Sequence, residues 1–156
     1  MGREHYYKVK IEWLGNRGTG TSGYRDYGRE HIVRAQDKID IPGSSDPTFH
    51  GNTDRWNPEE LLLSALSQCH MLSYLHVATN LGVVVTEYMD EAEGVMEQTA
   101  NGGGHFTLAV LRPVVTVASA EMVKNALEAH HEASEKCFIA NSVNFEVRHE
   151  PKVVVA

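Results

Sequence analysis

The sequence predicts an α+β fold built on antiparallel sheet, in a single domain spanning residues 1–156. Three observations carry this reading. Polar and apolar residues alternate with the period of a strand in short stretches, and two longer stretches repeat apolar residues at spacings of three and four. The order is strands, helix, two strands, helix and strand, without the regular strand-helix alternation of a doubly wound parallel sheet. With 156 residues the chain has the length of one core, and no internal repeat or linker divides it.

Lys8, Lys10 and Glu12 alternate with Tyr7, Val9, Ile11 and Trp13, which predicts a first strand with one buried face. Residues 15–28, rich in Gly, Thr and Ser, read as a turn-laden hairpin region leading to a second strand near residues 31–35. Residues 37–56 carry Pro42, Gly43, Pro47 and Gly51 in an irregular connection, long for a compact domain and of a kind that is often functional.

The strongest local signal follows. Asn57 is a helix cap, Pro58 is pre-shaped for the first helical position, and Glu59 and Glu60 suit the positive end of the helix dipole. A helix is predicted from there to the Asn80-Leu81-Gly82 stop, with Leu61, Leu62, Ala65, Leu66, Cys69, Leu72 and Leu75 or His76 as its apolar stripe. Residues 83–94 and 105–117 are rich in β-branched side chains and flank the turn at residues 100–104, so they read as a hairpin. A second helix starts at Ser119 or Ala120. Its stripe of Val123, Ala126, Leu127, His130 and Ala133 or Ser134 brings Cys137 to the last turn or just past it. Residues 143–148 close the sheet and residues 153–155 are expected to add an edge strand.

Composition narrows the partners. The net charge of −7 arises from 21 acidic against 14 basic residues with no Lys/Arg cluster, which argues against nucleic acid or anionic lipid as a partner. The polar N-terminus and the lack of a long apolar run predict a soluble cytoplasmic protein. Two cysteines are too few for a disulfide scaffold, so a pairing between them points to chemistry.

Cys69 and Cys137 stand on the inner faces of the two helices, and helices packed ~8–10 Å apart can bring facing side chains within the ~4.4–6.8 Å Cα separation of a disulfide. They are a candidate redox pair. A reactive thiol works as the thiolate, and Cys69, about three turns into its helix, gains little from the helix dipole. A cation is therefore needed, with Arg25, Arg29 and Arg55 as candidates. A rival metal reading would use His70, His76, His130 and His131 with Cys137, although histidines at these spacings are more often core or surface side chains. The H-E-x-x-H zinc signature fails, because Glu135 stands where its second histidine belongs. No G-x-S-x-G, C-x-x-C or phosphate-cradling glycine loop is present.

With these residues in view the sequence resembles the osmotically inducible protein C and organic hydroperoxide resistance (OsmC/Ohr) family. Asn57-Pro58-Glu59-Glu60-Leu61-Leu62, followed by Ala65 and Cys69-His70-Met71, looks like the family's reactive-cysteine helix, with the cysteine ten residues after the first glutamate. Ser22-Gly23-Tyr24-Arg25-Asp26 looks like its glycine-arginine-aspartate turn. Cys137-Phe138-Ile139-Ala140-Asn141-Ser142 is similar to the second-cysteine segment, with Phe138 where proline is common and Ala140 where serine is common.

The resemblance implies an OsmC-like fold with two long central helices, an intertwined homodimer and a thiol peroxidase acting on organic hydroperoxides. Cys69 would be the peroxidatic nucleophile, Cys137 the resolving thiol, Arg25 the cation beside the thiolate and Glu59 its carboxylate partner. No cofactor is implied, only an external thiol or lipoyl-type dithiol reductant. The apolar neighbours Leu66, Met71, Leu72, Phe138 and Ile139 would line the substrate pocket. A family relative that senses oxidation without turnover, or binds an apolar ligand, is the alternative. Geometry adds one constraint. In one straight helix Glu59 and Cys69 are separated by roughly 15 Å and point about 80° apart, so a single arginine reaches both only if the helix breaks or a partner subunit supplies Glu59.

Overall fold

The alternation near the N-terminus does produce a strand, β1 (Lys10–Trp13), in the computed structural model, which describes residues 2–156. It pairs antiparallel with β2 (His31–Arg34), and β2 with β3 (Ile41–Gly43), in the order β1-β2-β3. The expected buried face is open. Tyr7, Val9 and Ile11 are 86%, 70% and 59% exposed, because this sheet has three short strands and no helix of its own unit packs on it. Contacts divide the chain into two compact units, one ending at Leu61 and one running from Leu62 to Ala156.

The loop between β1 and β2 is closed by Gly28 N–H donating to Gly15 O at 2.8 Å, beside Trp13 Nε1 donating to Gly28 O at 2.8 Å. A Cβ on Gly15 would lie 1.9 Å from that carbonyl oxygen, so the closure requires glycine there. The irregular connection after β2 is also pinned. Ser44, fully buried, donates through Oγ to Asn52 Oδ1 at 2.8 Å and accepts from Asn52 N–H at 3.1 Å, and a short 3₁₀ turn at Pro47–Phe49 is capped by Asp46.

Helix α1 (Pro58–Asn80) begins and ends where its sequence signals stand. Glu60 N–H donates to Asn57 Oδ1 at 2.8 Å while Asn57 N–H donates to Glu60 Oε2 at 3.2 Å, a reciprocal capping box. Gly82, at φ 68°, turns the chain out, and Val83 N–H closes back on Ala78 O at 2.9 Å. The buried face differs from the predicted stripe. It consists of Leu66, His70, Tyr74, Val77 and Ala78, while Leu72 is 60% exposed and Cys69 is half-buried. Apolar residues surround this helix on all sides, so spacing alone does not select the face that packs.

In the second unit the two long predicted strands each bend. Residues 83–94 give β4 (Val85–Asp90) and only the start of β5 (Glu93–Gln98), which runs on past the predicted end, and residues 105–117 give β6 (Gly104–Leu111), one residue longer than expected, and β7 (Pro113–Val117). The hairpin pairing persists as β5 with β6 and β4 with β7, in two separate sheets. The corner lies at Arg112, whose N–H donates to Asp90 Oδ1 at 2.7 Å instead of continuing the ladder, followed by Pro113, which has no N–H to donate. The closing strands β8 (Glu146–His149) and β9 (Lys152–Val155) run parallel to β6 and β7, so these sheets are mixed where the sequence suggested antiparallel pairing throughout. The α+β class holds.

Helix α2 (Val123–Lys136) follows a 3₁₀ turn at Ala120–Met122 and buries Ala126, Ala129, His130 and Ala133. These alanines let α2 sit close to Tyr74, Val77 and Ala78 of α1 and to Val115 and Val117 of β7, which together form the core. Leu127, expected on the stripe, is 44% exposed because the packed line runs through the alanines beside it.

Candidate active site

The core brings the two cysteines together. Cys69 lies on α1 and Cys137 is the C-cap of α2, where the backbone leaves the helix at ψ 108°. Both are free thiols, Cys69 half-buried and Cys137 at 1% exposure, and Cys69 lies near enough to Cys137 to influence its thiol. Burial pushes the Cys137 thiol up to about 11; Ala140 N–H, 3.5 Å from Cys137 Sγ, pulls the other way, and the neighbouring Cys69 sulfur adds to the rise. Cys137 is therefore a protonated thiol at neutral pH.

The segment after Cys137 folds tightly around it despite Phe138 and Ala140. Asn141 N–H donates to Cys137 O at 3.0 Å, Asn141 Nδ2 to Glu135 O at 2.9 Å and Ser142 Oγ to Phe138 O at 2.6 Å. Phe138 itself points outward, 74% exposed.

Beginning at His70, the residue after Cys69, lies a group that sequence spacing does not unite. His70 Nε2 and His130 Nδ1 share a hydrogen bond of 3.0 Å between nearly parallel rings, inclined by 11°. Tyr74 stacks on His130 at 4.0 Å and donates its hydroxyl to Ala126 O at 3.0 Å, and His149 at the end of β8 covers His70 at 4.4 Å. Burial, more than mutual repulsion, holds His70 down at about 3 and His130 at about 4, and it lowers His149 as well. These imidazoles are neutral at pH 7. His70 Nδ1, His130 Nε2 and His149 Nε2 are shielded from solvent without a hydrogen-bond partner among the described residues.

The rival metal set is not gathered in one place. His131 faces solvent beside Glu135 and His76 lies near Asn80 on an exposed stretch, while His130 is engaged with His70. Among the described residues no group of three or more His, Cys, Asp or Glu side chains stands where it could hold a metal ion. No helix there is long and apolar enough to cross a membrane.

The three candidate cations differ in what holds them. Arg29 is sandwiched, its guanidinium 4.7 Å from the Tyr24 ring and 4.0 Å from the Tyr27 ring, and it donates to both tyrosines' carbonyl oxygens. Arg55 donates to His31 O at 3.2 Å. Arg25 is exposed and, among the described residues, makes no hydrogen bond or ion pair, so it is the arginine left free. Glu59 Oε2 is shielded from solvent and has no hydrogen-bond partner among the described residues.

The expected pocket residues are spread over different surroundings. Leu66 is in the core at 1% exposure, Leu72 and Phe138 are open to solvent, and Ile139 is half-buried. Met71 lines a cavity of about 520 Å³ with Ser67, Tyr88 and Asp90 that contains neither cysteine. Two helical residues turn by about 200°, which sends Cys69 to the other side of α1 from Met71.

Comparison with known proteins yields consistent neighbours. Residues 50–152 match the family described as OsmC-like protein. The uncharacterised protein YmaD of Bacillus subtilis (strain 168) is 26% identical over 155 residues, covering 96% of this chain and 95% of its own length. Among solved structures, the OsmC-like protein of unknown function VCA0330 from Vibrio cholerae superposes with a TM-score of 0.85 at 30% identity, over 95% of this chain and 99% of its own. An organic hydroperoxide resistance protein from Elizabethkingia anophelis shares the fold at a TM-score of 0.66 and 17% identity, over 99% of this chain and 100% of its own.

Proposed function

The chain belongs to the family of OsmC-like proteins, and on that premise we propose that it is a thiol-dependent peroxidase that reduces organic hydroperoxides to alcohols. The observation that carries this reading is the contact between two free thiols of unequal burial. Cys69, the more open of the two, attacks the distal peroxide oxygen as the thiolate. An S–O bond forms, the O–O bond breaks, and the alkoxide takes a proton to leave as the alcohol. The sulfenic acid then condenses with the Cys137 thiol, releasing water and forming the disulfide. Two electrons from an external thiol or lipoyl-type dithiol restore both thiols, so the cycle uses no cofactor.

The reading includes a homodimer in which residues 1–156 act as one domain per subunit. Helix α1 is continuous from Pro58 to Asn80, which removes the option of a break between Glu59 and Cys69 and leaves the option of a partner subunit. The open apolar side chains of β1 and the irregular segment leading to it are a surface suited to a second copy. In that arrangement Arg25, with Glu59 fixing its fork, favours the Cys69 thiolate and hydrogen-bonds the peroxide. Leu72, Phe138 and Ile139 remain the proposed contributors to an apolar substrate surface, whereas Leu66 is sealed in the core and Met71 faces a cavity away from Cys69.

A second reading, a redox sensor without turnover, is favoured by the 1% exposure of Cys137, since a reductant must then enter through the Cys69 sulfur. One equivalent of cumene hydroperoxide added to the reduced protein tests the shared chemistry. Peptide mapping should find the Cys69 to Cys137 disulfide, and a stable Cys69 sulfenic acid with Cys137 still reduced would contradict it. Repeated consumption with a dithiol then separates peroxidase from sensor.

A further inference from the structure

We propose that His70 and His130 are positioning residues whose hydrogen bond across the α1–α2 contact fixes the register in which Cys69 meets Cys137. The inference rests on the thiol pair of the proposed function, though not on peroxide turnover.

Placement makes the first argument. His70 follows Cys69 directly on α1, and His130 precedes Cys137 by seven residues on α2. Seven residues are about two turns, so Cys137 lies ~10 Å along the axis from His130 and within ~20° of the same face. That distance is a lever. A swing of α2 by ~10° about the His130 contact would carry Cys137 through about 2 Å, comparable to the whole span of Cα separations that a disulfide tolerates.

The second argument is the kind of contact chosen. His70 and His130 are buried to 0% and 3% exposure, at a position where two helices could pack through apolar side chains alone. Instead the pair leaves His70 Nδ1 and His130 Nε2 without partners among the described residues, an arrangement that does not serve stability best. What it supplies is direction. A hydrogen bond of 3.0 Å between two rings admits one rotamer on each helix, whereas apolar side chains can slide past one another. The rings are themselves held, His130 by Tyr74 stacked at 4.0 Å and His70 by His149 at 4.4 Å. Both imidazoles remain neutral at pH 7, so one N–H and one acceptor nitrogen are available throughout the physiological range.

The test measures the thiol pair without peroxide. Protein is equilibrated at pH 7 with mixtures of reduced and oxidised glutathione, and the fraction carrying the Cys69 to Cys137 disulfide is read by mass spectrometry, beside circular dichroism and thermal unfolding. His130→Leu removes the hydrogen bond, whereas His130→Asn places its amide near the position of Nδ1. The expected result is that His130→Leu lowers the disulfide equilibrium constant at least about tenfold, which is ~30 mV for this two-electron couple, with unfolding no earlier than in the wild type. His130→Asn should stay within about threefold. A His130→Leu protein that matches the wild type within about twofold overturns the positioning role alone. A wild type that forms no such disulfide overturns the thiol pair, and the inference with it. Should His130→Leu fail to fold, the comparison passes to His70→Gln, whose amide reaches the place of Nε2, and His70→Asn, whose amide falls short. Equal equilibria for those two also overturn the proposal.

Discussion

Cys69 and Cys137 share one contact but not one environment: the Cys137 thiol is sealed at 1% exposure and held up to about 11, whereas Cys69 is half-open. At pH 8 a thiol at about 11 is thiolate to roughly 0.1%. Alkylation by iodoacetamide should therefore modify the Cys137→Ser variant, which keeps Cys69, at least about a hundredfold faster than the Cys69→Ser variant, which keeps Cys137. Similar rates for the two variants would mean that Cys137 is neither buried nor protonated as described.

The buried imidazoles give the fold an acid limit. His70 and His130 are lowered to about 3 and about 4 in the folded chain and titrate near 6.5 when unfolded, so below pH 6.5 the unfolded state binds more protons. Their contribution to stability is complete above pH 6.5 and declines as the pH falls toward 4. Between pH 7.5 and 5 the loss should be about 2 kcal/mol for each histidine. Urea unfolding across that range measures it, and His130→Leu should flatten the curve. Equal stability at pH 7.5 and pH 5 in the wild type would contradict the burial of the pair.

The open face of β1 carries the assembly prediction. Ile11 is 59% exposed in the single chain, and a glutamate there would cost little if the chain were a monomer. If the face is covered by a second copy, Ile11→Glu buries a charge and should shift sedimentation from dimer toward monomer while circular dichroism is retained. A wild-type protein that sediments as a fully active monomer would defeat the composite site.

Much of the site was legible in the sequence because its signals are local. The Asn57 to Glu60 capping box and Gly82 delimit α1 at both ends, and the periodicity of α2 carries Cys137 to its cap. What depends on packing was not legible. Leu72 and Cys69 lie on a stripe as good as Leu66, His70 and Tyr74, and only the fit of α1 against the alanines of α2 selects the second face. The His70 to His130 bond joins residues sixty apart, and His149 comes from a third element, so no spacing rule unites them. A hint lay in the spacing of His70, Tyr74 and Val77, which share one helical face. The bend at Arg112 was hidden because its cause is a side-chain acceptor on another strand, Asp90.

The central claim is that Cys69 and Cys137 together turn over organic hydroperoxide, and steady-state peroxide consumption with a dithiol reductant tests it most directly. The wild type should consume cumene hydroperoxide over many turnovers, with kcat/KM exceeding that for hydrogen peroxide by about tens to hundreds if buried methylenes contribute ~0.8 kcal/mol each. Cys69→Ser should consume none, and Cys137→Ser should take up one equivalent and stall. Undiminished multiple turnover in the Cys69→Ser variant would contradict the account.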